Sequence, residues 1–328
     1  MLHISRREFA GLIASGTVTG RLADPFAFGQ GASTRPVTAS DIVERIKKNI
    51  GVAWKPETVD GVKAGDASTI VKGVVTTSMA TMGVLRQAVK VGANLVITYE
   101  PTFYARTDAR NPQAGRGGAR GATGAGAAAG IGPNQAVVAP PSPPDPVFAA
   151  KNEFIARNNL VVFRLSDHWR LRQPDPLAQG MGAAFAWTTY QTAGDPSRYD
   201  LPTALTLDTL VSHVKTTLQS RGGIRVVGDP QARMQRIGLL PGTTAIQAAL
   251  KILPTVDVII AGEVREWESV EYARDKVFHG EKKGLILVGR VVSEEPGMDT
   301  CAAWLKTFVT EVPVRPVSAG DPYWRPAS

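Results

Sequence analysis

The sequence has few of the residues that build covalent or metal cross-links. It contains one cysteine, Cys301, and four histidines among 328 residues. A single cysteine excludes an intramolecular disulfide and a cysteine-based zinc site. Cys301 lies in the apolar pattern of a predicted helix, which indicates a small core residue rather than a nucleophile. No apolar run approaches the ~20 residues that a membrane-spanning helix needs, so we predict no membrane span.

The chain also lacks any concentrated block of charge. Lys and Arg outnumber Asp and Glu by 37 to 29, which gives a net charge of +8, but the basic residues are dispersed. Charge of this kind more often reflects solubility than nucleic-acid binding, and the sequence has no recognition motif for nucleic acid. The glycine-rich segment 118–130 follows no predicted strand, so it does not indicate a phosphate-binding loop. We therefore do not expect nucleic acid as a partner.

The first thirty residues have the pattern of an export signal. Residues 5–9 read Ser-Arg-Arg-Glu-Phe, which is typical of twin-arginine signals, and a mildly apolar segment rich in Gly and Ala follows. Small residues at 27–32 offer a cleavage site. We predict that residues 1–33 are a twin-arginine signal peptide. The protein would then be exported in its folded state and would be periplasmic or extracytoplasmic.

The pattern of hydrophobic residues predicts an α/β fold with flanking helices. Apolar residues recur at helical or strand spacing in alternating segments. The predicted helices are 41–49, 82–91, 147–158, 179–190, 207–220, 242–252, 263–276 and 297–309. The predicted strands are 70–76, 94–98, 160–165, 224–227, 234–239, 256–260 and 284–288. The folded part is thus 36–105 and 145–328.

Residues 106–144 interrupt this alternation. Gly, Ala and Arg dominate the segment, and Pro dominates its end. Such a composition buries too little apolar surface to offset the entropy of ordering the chain. We predict a disordered surface insertion, with a lid over a nearby pocket as the alternative.

Three segments resemble the Nif-three-like family. Residues 59–66 read VDGVKAGD and residues 92–101 read GANLVITYEP, which are similar to the family patterns D-G-L-x-x-G-D and G-A-N-L-I-I-T-H-H-P. Residues 161–168, VVFRLSDH, resemble the strand that ends in H-T-x-x-D. Residues 256–263, VDVIIAGE, and 289–294, GRVVSE, resemble D-V-x-x-T-G-E and G-H-x-x-[ST]-E. The resemblance covers most of residues 40–320 and implies two α/β subdomains and a homo-oligomer, a hexamer in the family.

In that family the His, Asp and Glu residues of these motifs form a two-metal site. Matched motif by motif, the two positions of H-H-P hold Tyr99 and Glu100, and H-T-x-x-D holds His168 and Arg172. The C-terminal motif holds an arginine and a glutamate, Arg290 and Glu294. The resemblance therefore implies at most one divalent ion per chain, Zn, Mn or Fe, held by Glu100, His168 and Glu294.

Two hypotheses for this altered site remain open. In the first, one metal is bound, and Arg172, Arg290 and Tyr99 bind a small anionic substrate. In the second, an Arg–Glu network replaces the metals, because a guanidinium group keeps its charge at physiological pH.

The predicted function depends on which of these two hypotheses for the site is correct. The resemblance implies a metal-dependent hydrolase that acts by cyclohydrolase-like or phosphoester and amide hydrolysis, in which Glu266 moves protons as a catalytic residue. The alternative for Glu266 is a solvated helix face. The alternative for the whole protein is a non-catalytic oligomeric scaffold or binding protein that has lost the metals.

Overall fold

A computed structural model describes residues 36–105, 108, 145–219 and 223–324. The predicted signal peptide lies outside these residues, and so does all of the predicted insertion except Asp108. Export and the nature of the insertion therefore stay predictions. None of the helices in the described part of the chain is long and apolar enough to cross a bilayer.

The first half of the folded chain, together with β10 (Val314–Pro316) from near its end, forms a five-stranded sheet with the order β1-β4-β3-β2-β10. β2, β3, β4 and β10 run parallel to their neighbours, and β1 is antiparallel to β4. The elements in chain order are α1 (Ala39–Asn49), β1 (Gly61–Ala64), β2 (Val74–Thr77), α2 (Met82–Lys90), β3 (Leu95–Thr98), α3 (Pro146–Arg157) and β4 (Val161–Arg164).

The second half forms another five-stranded sheet, with the order β5-β7-β8-β9-β6. β7, β8 and β9 are parallel, and the two edge strands are antiparallel to them. The elements are α4 (Asp167–Leu171), α5 (Pro176–Ala184), β5 (Arg198–Thr206), α6 (Leu207–Thr217), β6 (Arg225–Val227), β7 (Arg233–Thr244), α7 (Ile246–Ile252), β8 (Val258–Val264), α8 (Glu271–Phe278), β9 (Gly284–Leu287), α9 (Arg290–Leu305) and β10 (Val314–Pro316).

Helix α9 connects the two sheets. It contacts β2 and β10 of the first sheet and β7 and β8 of the second. It also crosses α5 closely, because Gly180 faces the backbone of Pro296 and Gly297 faces Leu177. A Cβ atom at Gly180 would lie 2.4 Å from the carbonyl oxygen of Pro296. Residues at the start of α9 are therefore held beside the ends of strands from both sheets.

Local sequence signals explain where several helices begin. Thr38 and Asp41 form a reciprocal capping box at the start of α1. α3 and α5 each begin with an Asp cap followed by Pro at the first helical position. Apolar side chains then cover both faces of each sheet in four buried clusters.

The predicted α/β class is confirmed, and most predicted elements are present. Three differences stand out. The sequence pattern missed β5, whose residues 202–206 are mostly partly or fully exposed and which lies at a sheet edge. β7 continues to Thr244, where a helix was predicted from residue 242. α9 begins at Arg290 rather than at residue 297, so the helix contains Pro296, which the sequence pattern placed before its start.

Candidate functional site

A cavity of about 840 Å³ opens at the carboxyl ends of the parallel strands β3 and β4. Polar groups of ligand sites commonly lie at this edge of a parallel sheet. Among the described residues, the charged and phenolic side chains that line the cavity come from both halves of the chain: Tyr99, Glu100, Tyr104, Lys151, Arg164, Asp167, Arg170, Arg290 and Glu294.

Glu100 and Arg290 form the best-defined contact in the cavity. Glu100 follows β3 and is buried, whereas Arg290 is the first residue of α9. The guanidinium group donates to one carboxylate oxygen of Glu100 twice, from Nε at 2.9 Å and from Nη2 at 2.6 Å. Burial lowers the pKa of Arg290, but the carboxylate of Glu100 more than offsets it, so the pKa is raised overall. This pair is a charge-assisted interaction in a partly desolvated site.

Glu294 lies one helical turn further along α9 and is fully buried. Its Oε1 is 3.5 Å from Nε of Arg290, which is too long for a good hydrogen bond. No donor group in the described part of the chain bonds to either carboxyl oxygen, but in its neutral form Glu294 can donate its proton to the neighbouring carboxylate of Glu100. Burial, and secondarily the negative charge of Glu100, raise the pKa of Glu294 well above its ordinary value.

A bulge in β7 makes room for Glu294. The pairing of β7 with β8 shifts register between Leu240 and Thr243. Gly242, inside the bulge, has φ +76°, and a Cβ atom there would lie 3.0 Å from Oε1 of Glu294. Glycine is the residue that adopts this backbone conformation without steric cost. The bulge thus brings the backbone of the second sheet against the carboxyl group of α9.

Arg170 supplies the second guanidinium group of the cavity. Its Nη1 donates to the carbonyl oxygen of Pro241 at 3.2 Å, and its Nε lies 3.5 Å from Asp175. Desolvation lowers the pKa of Arg170, but its interactions with Tyr99 and with the carboxylate of Asp175 raise it overall. Burial raises the pKa of Tyr99 in turn, and Arg170 opposes that shift. Arg170 therefore lies beside both the tyrosine that follows β3 and the acidic group on α9.

His168 has a different environment from the one predicted. Its Nδ1 lies 2.7 Å from Asp60, its Nε2 accepts a hydrogen bond at 2.8 Å from the backbone N–H of Lys55, and its ring stacks on Trp54 at 3.8 Å. Because Nε2 accepts that bond, the proton of the neutral ring is on Nδ1 and is donated to Asp60. Both ring nitrogens are thus engaged, and neither is available for a metal ion.

Asp60 explains why the ring is held there. Its two carboxylate oxygens also accept backbone N–H bonds from Ser166 at 2.6 Å, Asp167 at 3.0 Å and His168 at 2.9 Å. These are the first N–H groups of α4, which have no partner within the helix. Asp60 and His168 together therefore fix the start of α4, a structural role.

Arg172 does not reach the cavity either. It lies over the rings of Trp169 and Trp304, at 5.1 and 4.8 Å from their centroids. Desolvation lowers the pKa of this guanidinium group. The cation–π contacts indicate a packing role for Arg172 rather than the predicted substrate contact.

Glu266 lies in a neighbouring cleft, not in the cavity that contains Glu100 and Glu294. Its side chain is 66% exposed and forms an ion pair with Arg225. That cleft has a volume of about 800 Å³ and shares Arg290 with the cavity. An exposed, ion-paired carboxylate fits the solvated helix face that was the alternative for Glu266.

After β4, the residues that line the cavity lie two positions before the predicted pair. Ser166 and Arg170 keep the i, i+4 spacing and line the cavity, whereas His168 and Arg172 keep the same spacing and do not. The sequence held no signal for this choice, because both pairs have the same spacing and follow the same strand. The three motifs then contribute Ser166 and Arg170 together with Tyr99, Glu100, Arg290 and Glu294.

This set does not fit a divalent metal. In the described residues, no group of three or more His, Cys, Asp or Glu side chains is arranged to hold a metal ion. The guanidinium group of Arg290 is 2.6 Å from Glu100 and 3.5 Å from Glu294, so its positive charge already faces both carboxyl groups. A divalent ion there would be repelled by Arg290 and Arg170 at close range. The predicted metal set of Glu100, His168 and Glu294 is therefore not assembled.

Lys151 is a cavity residue that the sequence analysis missed. It lies on the buried face of α3 with Phe148 and Ile155, and only 3% of the residue is exposed. The spacing i, i+3, i+7 of these three residues was the available signal, because a lysine on an apolar helix face is unusual.

Comparisons with known proteins agree with this architecture. No curated protein matches the sequence. The crystal structure of the Staphylococcus aureus hypothetical protein SA1388 aligns at 14% identity with a TM-score of 0.61, covering 89% of this chain and all of that one. Protein ybgI, described as of unknown function, aligns at 17% identity with a TM-score of 0.60, covering 88% and 100%. A Bacillus cereus protein related to NIF3 aligns at 12% identity with a TM-score of 0.57, covering 89% and 100%.

At these identities the solved structures establish the fold alone. The family assignment comes from the sequence. The model of Duf34/NIF3 (NGG1p interacting factor 3) matches residues 152–319, more than half of the 328 residues. This segment runs from α3 through the segment after β10 and includes both ends of α9. The chain therefore belongs to the Duf34/NIF3 family.

Proposed function

We propose that this protein binds a small anionic molecule, a carboxylate or a phosphate ester, in the cavity, without a metal ion. The observation that carries the proposal is the position of Arg290. Its guanidinium group bonds to Glu100 at 2.6 Å, lies 3.5 Å from Glu294 and lines the cavity. The guanidinium group of Arg290 is permanently positive, so it can attract an anion in the way that a bound metal ion would.

The unused hydrogen-bonding capacity of the cavity favours an anion. Nη1 of Arg290 lies 3.7 Å from Glu263, beyond hydrogen-bond distance, so among the described residues nothing prevents this group from donating to a ligand. Four cationic side chains line the cavity, against three acidic ones. One of these acids, Glu294, is buried beside another carboxylate, which favours its neutral form. A carboxylate or phosphate could accept two parallel N–H bonds from such a guanidinium group.

The metal-dependent hydrolase implied by the family resemblance is the competing hypothesis. It requires a divalent ion at Glu100, His168 and Glu294, with Glu266 as the proton-moving residue. Assembly into a hexamer stays a prediction under either hypothesis.

Two measurements on the purified full-length protein separate the hypotheses. The first is elemental analysis after incubation with Zn²⁺ or Mn²⁺ and removal of the excess. We expect no stoichiometric metal. About one equivalent per chain that is lost in Glu294→Gln would overturn our proposal and support the hydrolase.

The second measurement is calorimetric titration with inorganic phosphate and with acetate. We expect binding that weakens about tenfold or more in Arg290→Gln, since a charge-assisted hydrogen bond contributes about 1.5–3 kcal/mol. Arg274→Gln is the matched control, because Arg274 is an exposed arginine of α8 that pairs only locally with Glu271. The proposal is contradicted if neither phosphate nor acetate binds, or if Arg290→Gln and Arg274→Gln weaken anion binding equally.

A further inference from the structure

Lys151 projects from α3 into the wall of the cavity. Its Nζ donates a hydrogen bond at 2.6 Å to the carbonyl oxygen of Thr102. It also lies 5.7 Å from the ring centroid of Phe103 and 5.2 Å from that of Tyr104. One carbonyl and two aromatic faces therefore surround an amino group that borders the cavity.

No carboxylate pairs with this amino group in the described part of the chain. The nearest acidic influence is Asp108, whose oxygens accept bonds from the backbone N–H groups of Thr102 and Phe103 and from Arg164. Asp108 is thus already satisfied by other donors. Burial lowers the pKa of Lys151 to about 8, and Asp108 only partly opposes this. A buried lysine of this kind has a substantial neutral fraction, and the neutral amine is a nucleophile.

The position beside the cavity distinguishes Lys151 from Lys283, which is also buried and donates to backbone carbonyl oxygens but lines no part of this cavity. Lysines that serve packing usually extend the ammonium group to water or to a carboxylate. Lys151 does neither, and the two cationic groups Arg170 and Arg290 line the same cavity. An amine and an anion-binding group in one cavity together match a small molecule with a carbonyl group and an anionic group.

We propose that Lys151 captures the aldehyde or ketone group of a small anionic ligand as an imine. The lone pair of the neutral amine attacks the carbonyl carbon, and the C=O π electrons move to oxygen. Both amine hydrogens then leave with that oxygen as one water molecule, so the products are the imine and water. This inference deepens the proposed function, on which it rests for the anionic end of the ligand.

The test is reductive trapping on the full-length protein. The protein is incubated with glyoxylate, which has an aldehyde and a carboxylate, or with propionaldehyde, which has only the aldehyde. Borohydride then reduces any imine to a stable secondary amine, and peptide mass spectrometry maps the modified lysines. Lys251, an exposed lysine of α7, is the internal control in the same sample.

We expect Lys151 to be modified at least about tenfold more than Lys251. Compared with an ordinary lysine pKa of about 10.4, a pKa of about 8 raises the neutral fraction by more than a hundredfold, and lower intrinsic nucleophilicity offsets part of that gain. Lys151→Arg keeps the positive charge but cannot form an imine. It should lose the dominant modification.

The two proposals fail separately in this experiment. If neither aldehyde modifies Lys151 above Lys251, the imine proposal is overturned, whereas calorimetric phosphate binding that depends on Arg290 still supports the anion site. Glyoxylate and propionaldehyde could modify Lys151 equally, with the extent of modification by glyoxylate unchanged in Arg290→Gln. That result would show a reactive lysine but would refute the proposal that the ligand has an anionic group bound by Arg290. Mapping the modified lysines in the protein without substitutions compares Lys151 with Lys251 even if a variant does not fold.

Discussion

Replacement of His168 by alanine should destabilise the fold without changing metal content. The ring is fully buried, bonds to Asp60 at 2.7 Å and to the backbone of Lys55 at 2.8 Å, and stacks on Trp54. Its bond to the carboxylate contributes about 1.5–3 kcal/mol, and the N–H group left without an acceptor costs about 1–3 kcal/mol. Loss of the stacked ring adds about 0.5–1.5 kcal/mol.

Because these contributions overlap, we expect the free energy of unfolding to fall by about 3–5 kcal/mol. The assay is urea unfolding followed by fluorescence and circular dichroism, with metal content measured on the same samples. His279→Ala is the control, because His279 is exposed at the end of α8 and its loss should change stability by about 0.5 kcal/mol or less.

The competing hydrolase hypothesis predicts the reverse for His168→Ala. A metal ligand at the edge of a preformed site would leave the unfolding transition of the metal-free protein nearly unchanged and would reduce metal binding. A loss of less than about 1 kcal/mol in the metal-free protein, together with loss of bound metal, would refute the structural role assigned to this residue.

Further predictions concern packing and pH. Gly262→Ala should destabilise the protein by about 1–3 kcal/mol, because the new Cβ atom would lie 2.4 Å from the carbonyl oxygen of Gly242. Gly83→Ala should stabilise it by about 0.5–1 kcal/mol, because Gly83 is in a helix and its Cβ atom would meet nothing closer than 3.6 Å. Thermal unfolding measures both changes. Arg45 lowers the pKa of Glu311 through a side-chain hydrogen bond, so this pair contributes stability above the unfolded pKa and loses it as pH falls toward the folded one. Glu311→Gln should therefore cost about 0.5–1 kcal/mol near neutral pH and nothing in acid, and a pH-independent difference in urea unfolding would contradict this.

The architecture of the cavity gives a reason for the unusual ligand positions. Two arginine side chains can be partly buried in one cavity only if nearby acidic groups balance their positive charge. Here Glu100 accepts both bonds from Arg290, and Arg170 lies near Asp175. These pairings allow two guanidinium groups to share one partly buried cavity without strong mutual repulsion.

The sequence by itself was sufficient for the α/β class, most of the elements and the family. Alternating apolar segments and the order of three motifs carried that information, because strand and helix periodicity follow directly from local geometry. Tyr99, Glu100, Arg290 and Glu294 were also found from sequence, since each follows a well-marked strand in a motif of fixed spacing.

Only the tertiary structure could decide which residues after β4 enter the cavity. Ser166 and Arg170 have the same spacing as His168 and Arg172, so the motif alone fits either pair. The choice depends on Asp60, more than one hundred residues earlier, which caps α4 and draws the ring of His168 away from the carboxyl groups. Contacts between residues so distant in the chain leave no trace in local periodicity, and they determine which side chains the cavity contains.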